Sequence, residues 1–198
     1  LGIAPACTVL GEALGSGYAA VGAVTFDRNA FGGAATLLST ATQVNDNFSS
    51  HVGLATLAQL RLHYGEITRA ARAFEASVRD ALHPFCAVCR VRGRGLMLCV
   101  TFEGAVLAPL AAAAARVSAA LGSWPANLLL HRYLLDTHRV RVRPSAADPH
   151  AVLLDMPALA ASSPAAAALC DALCALCERL RAGDHRSVLI DSSSFPKI

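Results

Sequence analysis

The sequence predicts a mixed α/β fold in which short strands and helices alternate along most of the chain. Of the 198 residues, 55% are hydrophobic and 16% are charged. The chain therefore has enough apolar side chains to bury a core, and extensive disorder is not expected. Apolar residues at helical spacing predict one long amphipathic helix over 52–81. Strand-like runs followed by helices come after it, an order that is typical of an α+β domain.

The N-terminal part of the chain predicts short strands and loops and carries very little charge. Residues 1–17 predict a loop with a short strand, 21–26 a buried strand, and 29–42 a short helix and a loop. Residues 1–60 contain four charged side chains, which are Glu12, Asp27, Arg28 and Asp46. A free surface of this size normally carries many more charges. We therefore expect another part of the fold, or a partner, to cover it.

The remainder of the chain predicts a second, smaller unit. The long helix is expected to end at His83-Pro84, because proline disfavours helical geometry in the residue before it. The elements predicted next are strands over 87–92 and 96–102, helices over 107–121 and 125–136, strands over 139–143 and 152–156, and a helix over 164–181 that Gly183 closes. We expect the strand regions 90–102 and 139–156 to form one small sheet.

Arginines alternate with other residues in two of these strands, at positions 90, 92 and 94 and at positions 139, 141 and 143. This spacing places the arginines of each strand on one face. We interpret that face as solvated or as an interface. RNA binding is the alternative, and it is disfavoured because no aromatic residues are interleaved with the arginines. A net charge of +3 is also too small to argue for nucleic acid.

The seven cysteines allow three interpretations. The pairs Cys86/Cys89 and Cys174/Cys177 have the C-x-x-C spacing of a four-cysteine zinc site. Cys170, Cys174 and Cys177, however, share one face of a predicted helix, and cysteine is among the most buried residue types. We expect this face to pack on the small sheet, with zinc binding and disulfides as the alternatives. An odd number of cysteines without a visible signal peptide favours reduced thiols and an intracellular compartment.

The most specific stretch is LGIAPACTVLGEALGSGY at residues 1–18, followed by VGAV at 21–24. It resembles the active-site segment of the class III aminotransferases, which use pyridoxal phosphate and have the approximate pattern GIxPDIxTLGKALGGGYPxGA. Three later segments resemble the same family in the same order: RGRGLM at 92–97, RVRP at 141–144, and residues 153–159 where the family has LRxxPPL. The similarity extends from Leu1 to about Arg181.

This resemblance implies the C-terminal half of an aminotransferase-type fold, with part of the large domain, the long linking helix and a small α+β C-terminal domain. The expected domains are 1–82, a remnant of the large cofactor domain that includes the helix; 83–190, the small domain; and 191–198, a tail. Phe48-Ser49 is expected just before the helix, where the family has a TFSGNP segment.

Three positions depart from the family pattern. Glu12 stands where the family has the lysine that binds the cofactor as a Schiff base, and a carboxylate cannot form that bond. Asn47 replaces a threonine that helps to bind the phosphate, and Leu154 replaces the arginine that pairs with the substrate carboxylate. The one lysine of the chain, Lys197, lies beyond the last family-like helix. We therefore predict a pseudoenzyme without catalytic, cofactor-binding or metal-binding residues and without a cofactor.

The predicted function is that of a structural or interaction subunit in a larger protein assembly. Its protein partner would cover residues 1–60 and would be either the missing N-terminal half or another subunit. The alternatives are the C-terminal half of a split or heteromeric aminotransferase, with lysine supplied in trans, and a regulatory pseudoenzyme that pairs with an active paralogue. No apolar run is long enough for a membrane span. By analogy with relatives, we expect a mitochondrial location.

Overall fold

A computed structural model describes residues 4–27, 29–30, 46–117 and 119–190. The chain divides into two compact units, Leu1–Tyr64 and Gly65–Ile198. One long helix, α1, spans Asn47–Leu82 and contributes residues to both units.

The N-terminal unit contains an antiparallel pair of strands, β1 at Cys7–Leu10 and β2 at Ala23–Phe26, with Cys7 opposite Phe26. A short 3-10 turn, Glu12–Gly15, lies between them. The predicted strand over 21–26 is thus confirmed in its second part. Its predicted burial is wrong, because Val24 is 44% exposed on a sheet of only two strands. Of the helix and loop predicted over 29–42, residues 31–42 lie outside the described residues.

Helix α1 begins five residues earlier than the periodicity predicted. The Asp46 carboxylate accepts a hydrogen bond from the Ser49 backbone N–H at 2.9 Å, and the Asp46 carbonyl accepts one from Ser50 N–H at 2.9 Å. These bonds satisfy N–H groups that have no partner within the helix. Phe48-Ser49, expected before the helix, therefore lies in its first turn.

Five further helices belong to the C-terminal unit: α2 Gly104–Val117, α3 Ala119–Gly122, α4 Ala126–His138, α5 Pro164–Ala182 and α6 His185–Ile190. Helix α5 begins at the predicted residue and ends one residue later than predicted. Ser163 accepts from the Ala165 N–H at its start, and Gly183 adopts the left-handed conformation (φ 73°) at its end. Helix α6 was not predicted from the sequence.

The described residues of this unit contain four further strands, β3 Cys89–Arg94, β4 Met97–Phe102, β5 Arg143–Pro144 and β6 Ala151–Asp155. They form one antiparallel sheet in the order β3-β4-β6-β5, so the prediction of a single small sheet is confirmed. Strands β3 and β4 form a hairpin in which Arg94 lies opposite Met97. Gly93 (φ 103°) is required there, because a Cβ atom at this position would collide with the Met97 carbonyl oxygen.

Strand β5 is much shorter than the predicted strand over 139–143, so that prediction is wrong for Arg139–Val142. Arg139 ends α4 in a left-handed conformation (φ 57°), and its N–H bonds back to the carbonyls of Leu134 and Leu135. The Val142 carbonyl accepts a hydrogen bond from His131 Nδ1 at 2.6 Å, and Arg143 is the first residue that pairs with β6.

The core of the C-terminal unit lies between one face of the sheet and the helices. Alternate residues of β4, which are Leu98, Val100 and Phe102, are buried, whereas Met97 is exposed. The end of α1 adds Phe74, Val78 and Leu82 to this core. Cys170 and Cys177 of α5 are buried in the same cluster, and Cys174 packs against it. The predicted packing of the cysteine face is thus confirmed.

Candidate functional site

Glu12 lies at the first position of the 3-10 turn that follows β1. A hydrogen bond from Leu14 N–H to the Gly11 carbonyl at 2.9 Å closes the backbone around Glu12, and one from Tyr18 N–H to the Gly15 carbonyl at 2.9 Å closes the turn that follows. Ser16 and Gly17 have positive φ angles of 49° and 78°. The family-like glycines therefore belong to a tight reversal between β1 and β2.

The segment that contains Leu14 and Ser16 contacts the first part of α1. Ser16 Oγ and Thr56 Oγ1 are 3.0 Å apart. Within the helix, Thr56 Oγ1 donates to the Val52 carbonyl at 2.9 Å. Because the Thr56 hydroxyl has one proton, Ser16 must be the donor in the bond between them. Gly53 is buried beside Leu14 and Val21. The N-terminal unit thus brings the turn that follows Glu12 against the second turn of α1.

Asn47 is an exposed residue in the first turn of α1, and its backbone carbonyl accepts a hydrogen bond from His51 Nδ1 at 2.7 Å. The preceding residue, Asp46, provides the charge at this helix end. Hydrogen bonds from the Ser49 hydroxyl and backbone N–H lower the pKa of Asp46. An ionised carboxylate therefore occupies the positive end of the helix dipole.

Leu154 lies on β6 opposite Leu98, and its side chain is 2% exposed within the hydrophobic core of the C-terminal unit. The next residue, Asp155, points the other way and is exposed. Arg143 binds it through two hydrogen bonds, Nε to Oδ2 at 2.6 Å and Nη2 to Oδ1 at 3.1 Å. This end of the sheet therefore presents an arginine that is already paired with a carboxylate.

A cleft of about 440 Å³ lies beside this ion pair and is lined by His131, Arg141, Val142, Arg143, Pro144 and Asp155. His131 carries its proton on Nδ1, because that atom bonds to the Val142 carbonyl; in the neutral ring Nε2 is then an acceptor. None of these residues was predicted as a site. The alternating arginines were the only sequence signal, since the cleft depends on the pairing of β5 with β6.

The arginines of β3 form ion pairs on the outer side of the sheet. Arg90 Nε lies 2.9 Å from Glu103 Oε1. Arg92 Nη2 lies 3.4 Å from Asp148 Oδ2 and donates to Thr101 Oγ1 at 2.8 Å. Both pairs are partly exposed, which agrees with the solvated face among the predicted alternatives.

Among the residues that the structure describes, no three His, Cys, Asp or Glu side chains are arranged so that they could hold a metal ion. In the same residues no helix is both long and apolar enough to cross a membrane.

Solved structures of aminotransferases are similar to this chain over nearly its whole length. The ornithine aminotransferase of Toxoplasma gondii matches 94% of the chain with a TM-score of 0.63 and 14% identity, and that of Plasmodium falciparum matches 98% with a TM-score of 0.58 and 14% identity. An (S)-enantioselective omega-transaminase from Thermomicrobium roseum matches 90% with a TM-score of 0.59 and 20% identity.

The chain has an aminotransferase-type fold. The predicted fold class is therefore confirmed, with a mixed α/β arrangement and antiparallel sheets. The chain spans 42% of the Plasmodium enzyme and 38% of each of the other two. No family model and no curated protein sequence matches it.

Proposed function

We propose that this aminotransferase-like chain has no transamination chemistry of its own and acts as a structural or interaction subunit of a larger assembly. The observation that carries the proposal is the glutamate at position 12, which the resemblance aligns with the Schiff-base lysine of the class III aminotransferases. The one lysine of the sequence is Lys197, the second-last residue. A carboxylate has no amine with which to condense with an aldehyde, so this chain lacks the covalent anchor of the cofactor.

The other positions that should contact pyridoxal phosphate or the substrate also do not fit. A phosphate near Asn47 would face the ionised Asp46 carboxylate, which already accepts the Ser49 N–H at the start of α1. Two negative charges at one helix end repel each other. Leu154, at the position of the carboxylate-binding arginine, has neither charge nor donor and is buried in the core. We derive no catalytic step through the cofactor.

An exposed apolar surface on the N-terminal unit supports the interaction role. We call it the N-terminal apolar surface. It comprises Val9, Leu10, Tyr18 and Val24 around the hairpin and Phe48, Leu54, Leu57, Leu60, Leu62 and Tyr64 along the first part of α1. Leu62 is 73% exposed and Val9 is 72% exposed. Large apolar side chains left exposed in such numbers are typical of a region that a partner covers.

The occupant we propose for this surface is a polypeptide that supplies the remaining part of an aminotransferase-type fold. The solved neighbours are more than twice as long as the chain that matches them. An apolar partner surface suits the low charge of residues 1–60, where four charged side chains occur. The mitochondrial location expected from relatives stays part of this proposal.

The exposed N-terminal apolar surface also fits a second candidate function, the C-terminal part of a split aminotransferase. In that case the same surface would bind the other part, and a lysine of the partner would hold the cofactor. The two functions therefore differ in whether the assembled complex carries pyridoxal phosphate on the partner's lysine.

Reductive trapping tests the proposal. Borohydride permanently attaches pyridoxal phosphate to any lysine that holds it as a Schiff base, and peptide mass spectrometry locates the modified residue. We expect no specific adduct on the full chain. Lys197→Arg is the matched control, because it removes the one amine that could react nonspecifically apart from the N-terminus.

The same trapping is then applied to the native assembly purified through this chain. An assembly without trapped cofactor supports the structural role. A phosphopyridoxyl group on a partner lysine, together with turnover of an amino donor, would support the split enzyme and overturn the structural role. A saturable adduct on Lys197 of the isolated chain would overturn the claim that the chain has no cofactor anchor.

A further inference from the structure

Two buried thiols from distant parts of the sequence meet in the C-terminal unit. Cys89 is the first residue of the edge strand β3, and Cys177 lies on α5. Their Sγ atoms are 3.7 Å apart, and both cysteines are free and buried in the core. Folding alone creates this contact, because 88 residues separate the two positions.

The two thiols are not equivalent. The hydrogen bond from Cys177 lowers the pKa of Cys89, whereas the same bond, together with burial, raises the pKa of Cys177. These opposite shifts make Cys89 the sulfur of the pair that ionises more readily. Burial raises the pKa of Cys170 and of Cys174 on the same helix. Since the thiolate is the form that reacts, Cys89 is the more reactive sulfur of the pair.

We propose that Cys89 and Cys177 are an oxidisable pair that a hydroperoxide converts into an intramolecular disulfide. The Cys89 thiolate attacks one peroxide oxygen, the O–O bond breaks, and a sulfenic acid forms while the other oxygen leaves as water or alcohol after protonation. Cys177 sulfur then attacks the sulfenic sulfur, the S–S bond forms and the S–O bond breaks. The hydroxide leaves as water with the Cys177 proton. Each disulfide consumes one hydroperoxide and two thiols.

The geometry favours this pair over the neighbouring thiols. A disulfide needs the sulfurs about 2.0 Å apart, so the Cys89 and Cys177 sulfurs, at 3.7 Å, need a small approach. Cys174, one turn earlier on α5, donates its S–H to the Ala81 carbonyl at 3.4 Å. Cys99 Sγ contacts Thr101 Oγ1 at 3.8 Å. The bond would join edge strand β3 covalently to α5.

The test is limited oxidation of the full reduced chain with hydrogen peroxide, followed by alkylation and peptide mapping without reductant. We expect the Cys89–Cys177 peptide to be the predominant disulfide, with a mass lower by two hydrogens than the two thiol peptides. The same oxidation in concentrated urea should lose this selectivity, because unfolding separates the two sulfurs. This peptide map uses the wild-type chain, so its result does not depend on whether a variant folds.

Variants identify the roles of the two sulfurs. Cys177→Ser should abolish the linked peptide and leave a Cys89 sulfenic acid that a dimedone-type reagent traps. Cys89→Ser should abolish both signals. Cys174→Ser, the matched control on the same helix, should retain the disulfide. The proposal is overturned if native oxidation leaves Cys89 and Cys177 as free thiols, or if linked peptides form in the same proportions as in urea.

Discussion

Asn127 shows how a single buried polar residue organises the C-terminal unit. Its side chain is 1% exposed, and its Nδ2 donates to the carbonyls of Ser145, Asp148 and Ala151 at distances of 2.9–3.0 Å. Its backbone N–H also donates to the Pro149 carbonyl at 2.9 Å. Helix α4 thus holds the loop that connects β5 to β6, on which the cleft depends.

Replacing Asn127 with alanine should destabilise this unit by about 2–4 kcal/mol, because it removes the buried side-chain hydrogen bonds to three carbonyls and creates a small cavity. Urea unfolding followed by the fluorescence of Trp124, the one tryptophan, measures the change, since Trp124 packs against the same core. Thr137→Ala, an exposed change on the same helix, should alter stability by less than about 0.5 kcal/mol. Equal effects of the two substitutions would contradict this account.

A lysine introduced at position 12 tests whether this single residue decides the lack of transamination. We expect Glu12→Lys alone not to give transamination, because Asp46, Asn47 and Leu154 still oppose or fail to bind the phosphate and the carboxylate. The assay is consumption of an amino donor by the full chain with added pyridoxal phosphate. Glu12→Gln, which removes the charge without adding an amine, is the control. Measurable turnover by the lysine variant would refute the prediction.

At the scale of elements, the second part of α1 covers the open edge of the sheet. Arg79 donates from Nη1 to the Val91 carbonyl at 3.0 Å and from Nη2 to the Gly93 carbonyl at 2.9 Å. Glu75 pairs with Arg79 at 3.0 Å and accepts the Gly95 N–H at 2.7 Å. An uncovered edge strand offers these groups to other chains, so this helix both orders the hairpin and protects its edge.

This contact predicts an acid-sensitive contribution to stability. The Gly95 N–H, followed by the Arg79 guanidinium, lowers the pKa of Glu75 below its ordinary value of 4.5. A folded-state pKa below the unfolded one gives stability that is fully present above the unfolded pKa and is lost as the pH falls through the folded pKa. The effect should therefore be present at neutral pH and disappear on acidification below 4.5.

Urea midpoints measured against pH by Trp124 fluorescence check this expectation. Glu75→Gln should be less stable than the wild type at neutral pH, and the difference should shrink as the pH falls. Glu178→Gln, an exposed change on α5, should follow the wild-type curve. A constant difference between Glu75→Gln and wild type at all pH values would show that the carboxylate charge is not the cause.

The elements that local chemistry controls were predicted well. Pro164 at the first turn and Gly183 beyond the last turn give α5 ends within one residue of those predicted. The early start of α1 was missed because Asp46 caps the helix before the apolar periodicity begins. Strand β5 was predicted too long because Arg139 adopts a left-handed conformation that favours glycine, which no sequence rule for arginine indicates.

Sequence reasoning could suggest a feature of the candidate site only where the type of one residue decides which reaction is possible. The hypothesis that Glu12 stands where the class III aminotransferases have a lysine comes from the sequence alone. The Arg143–Asp155 pair and the Cys89–Cys177 contact were not predictable, because each depends on which strand or helix lies beside another. Tertiary contacts of this kind leave no periodic signal in the chain.

At the scale of the whole molecule, the two units differ in how well their apolar side chains are covered. The C-terminal unit has a continuous core that includes fully buried Leu130, Tyr133 and Leu173. On the N-terminal unit, Leu54 of α1 is 65% exposed and belongs to the N-terminal apolar surface. Burying one such side chain completely contributes about 1.5–3 kcal/mol, whereas a whole domain is stable by about 5–15 kcal/mol. Leaving several of them in water therefore favours association.

We accordingly expect the full chain, expressed alone, to form aggregates and to bind a hydrophobic dye. Sizing chromatography and dye fluorescence measure the two effects. The double substitution Leu54→Gln/Leu62→Gln should reduce both, because it removes two of the most exposed apolar side chains of the surface without touching the core. Val117→Gln is the matched control, since Val117 is exposed at the end of α2 in the other unit.

The control should bind as much dye as the wild type, because Val117 is not part of the N-terminal apolar surface. A wild-type chain that elutes as a single monomer, binds no dye and melts cooperatively would show that these side chains do not need a partner. The structural role would then lose its main physical support. Dye binding that falls equally in the double variant and in Val117→Gln would show that the dye does not bind preferentially to the N-terminal apolar surface. That surface would then no longer be the proposed docking site.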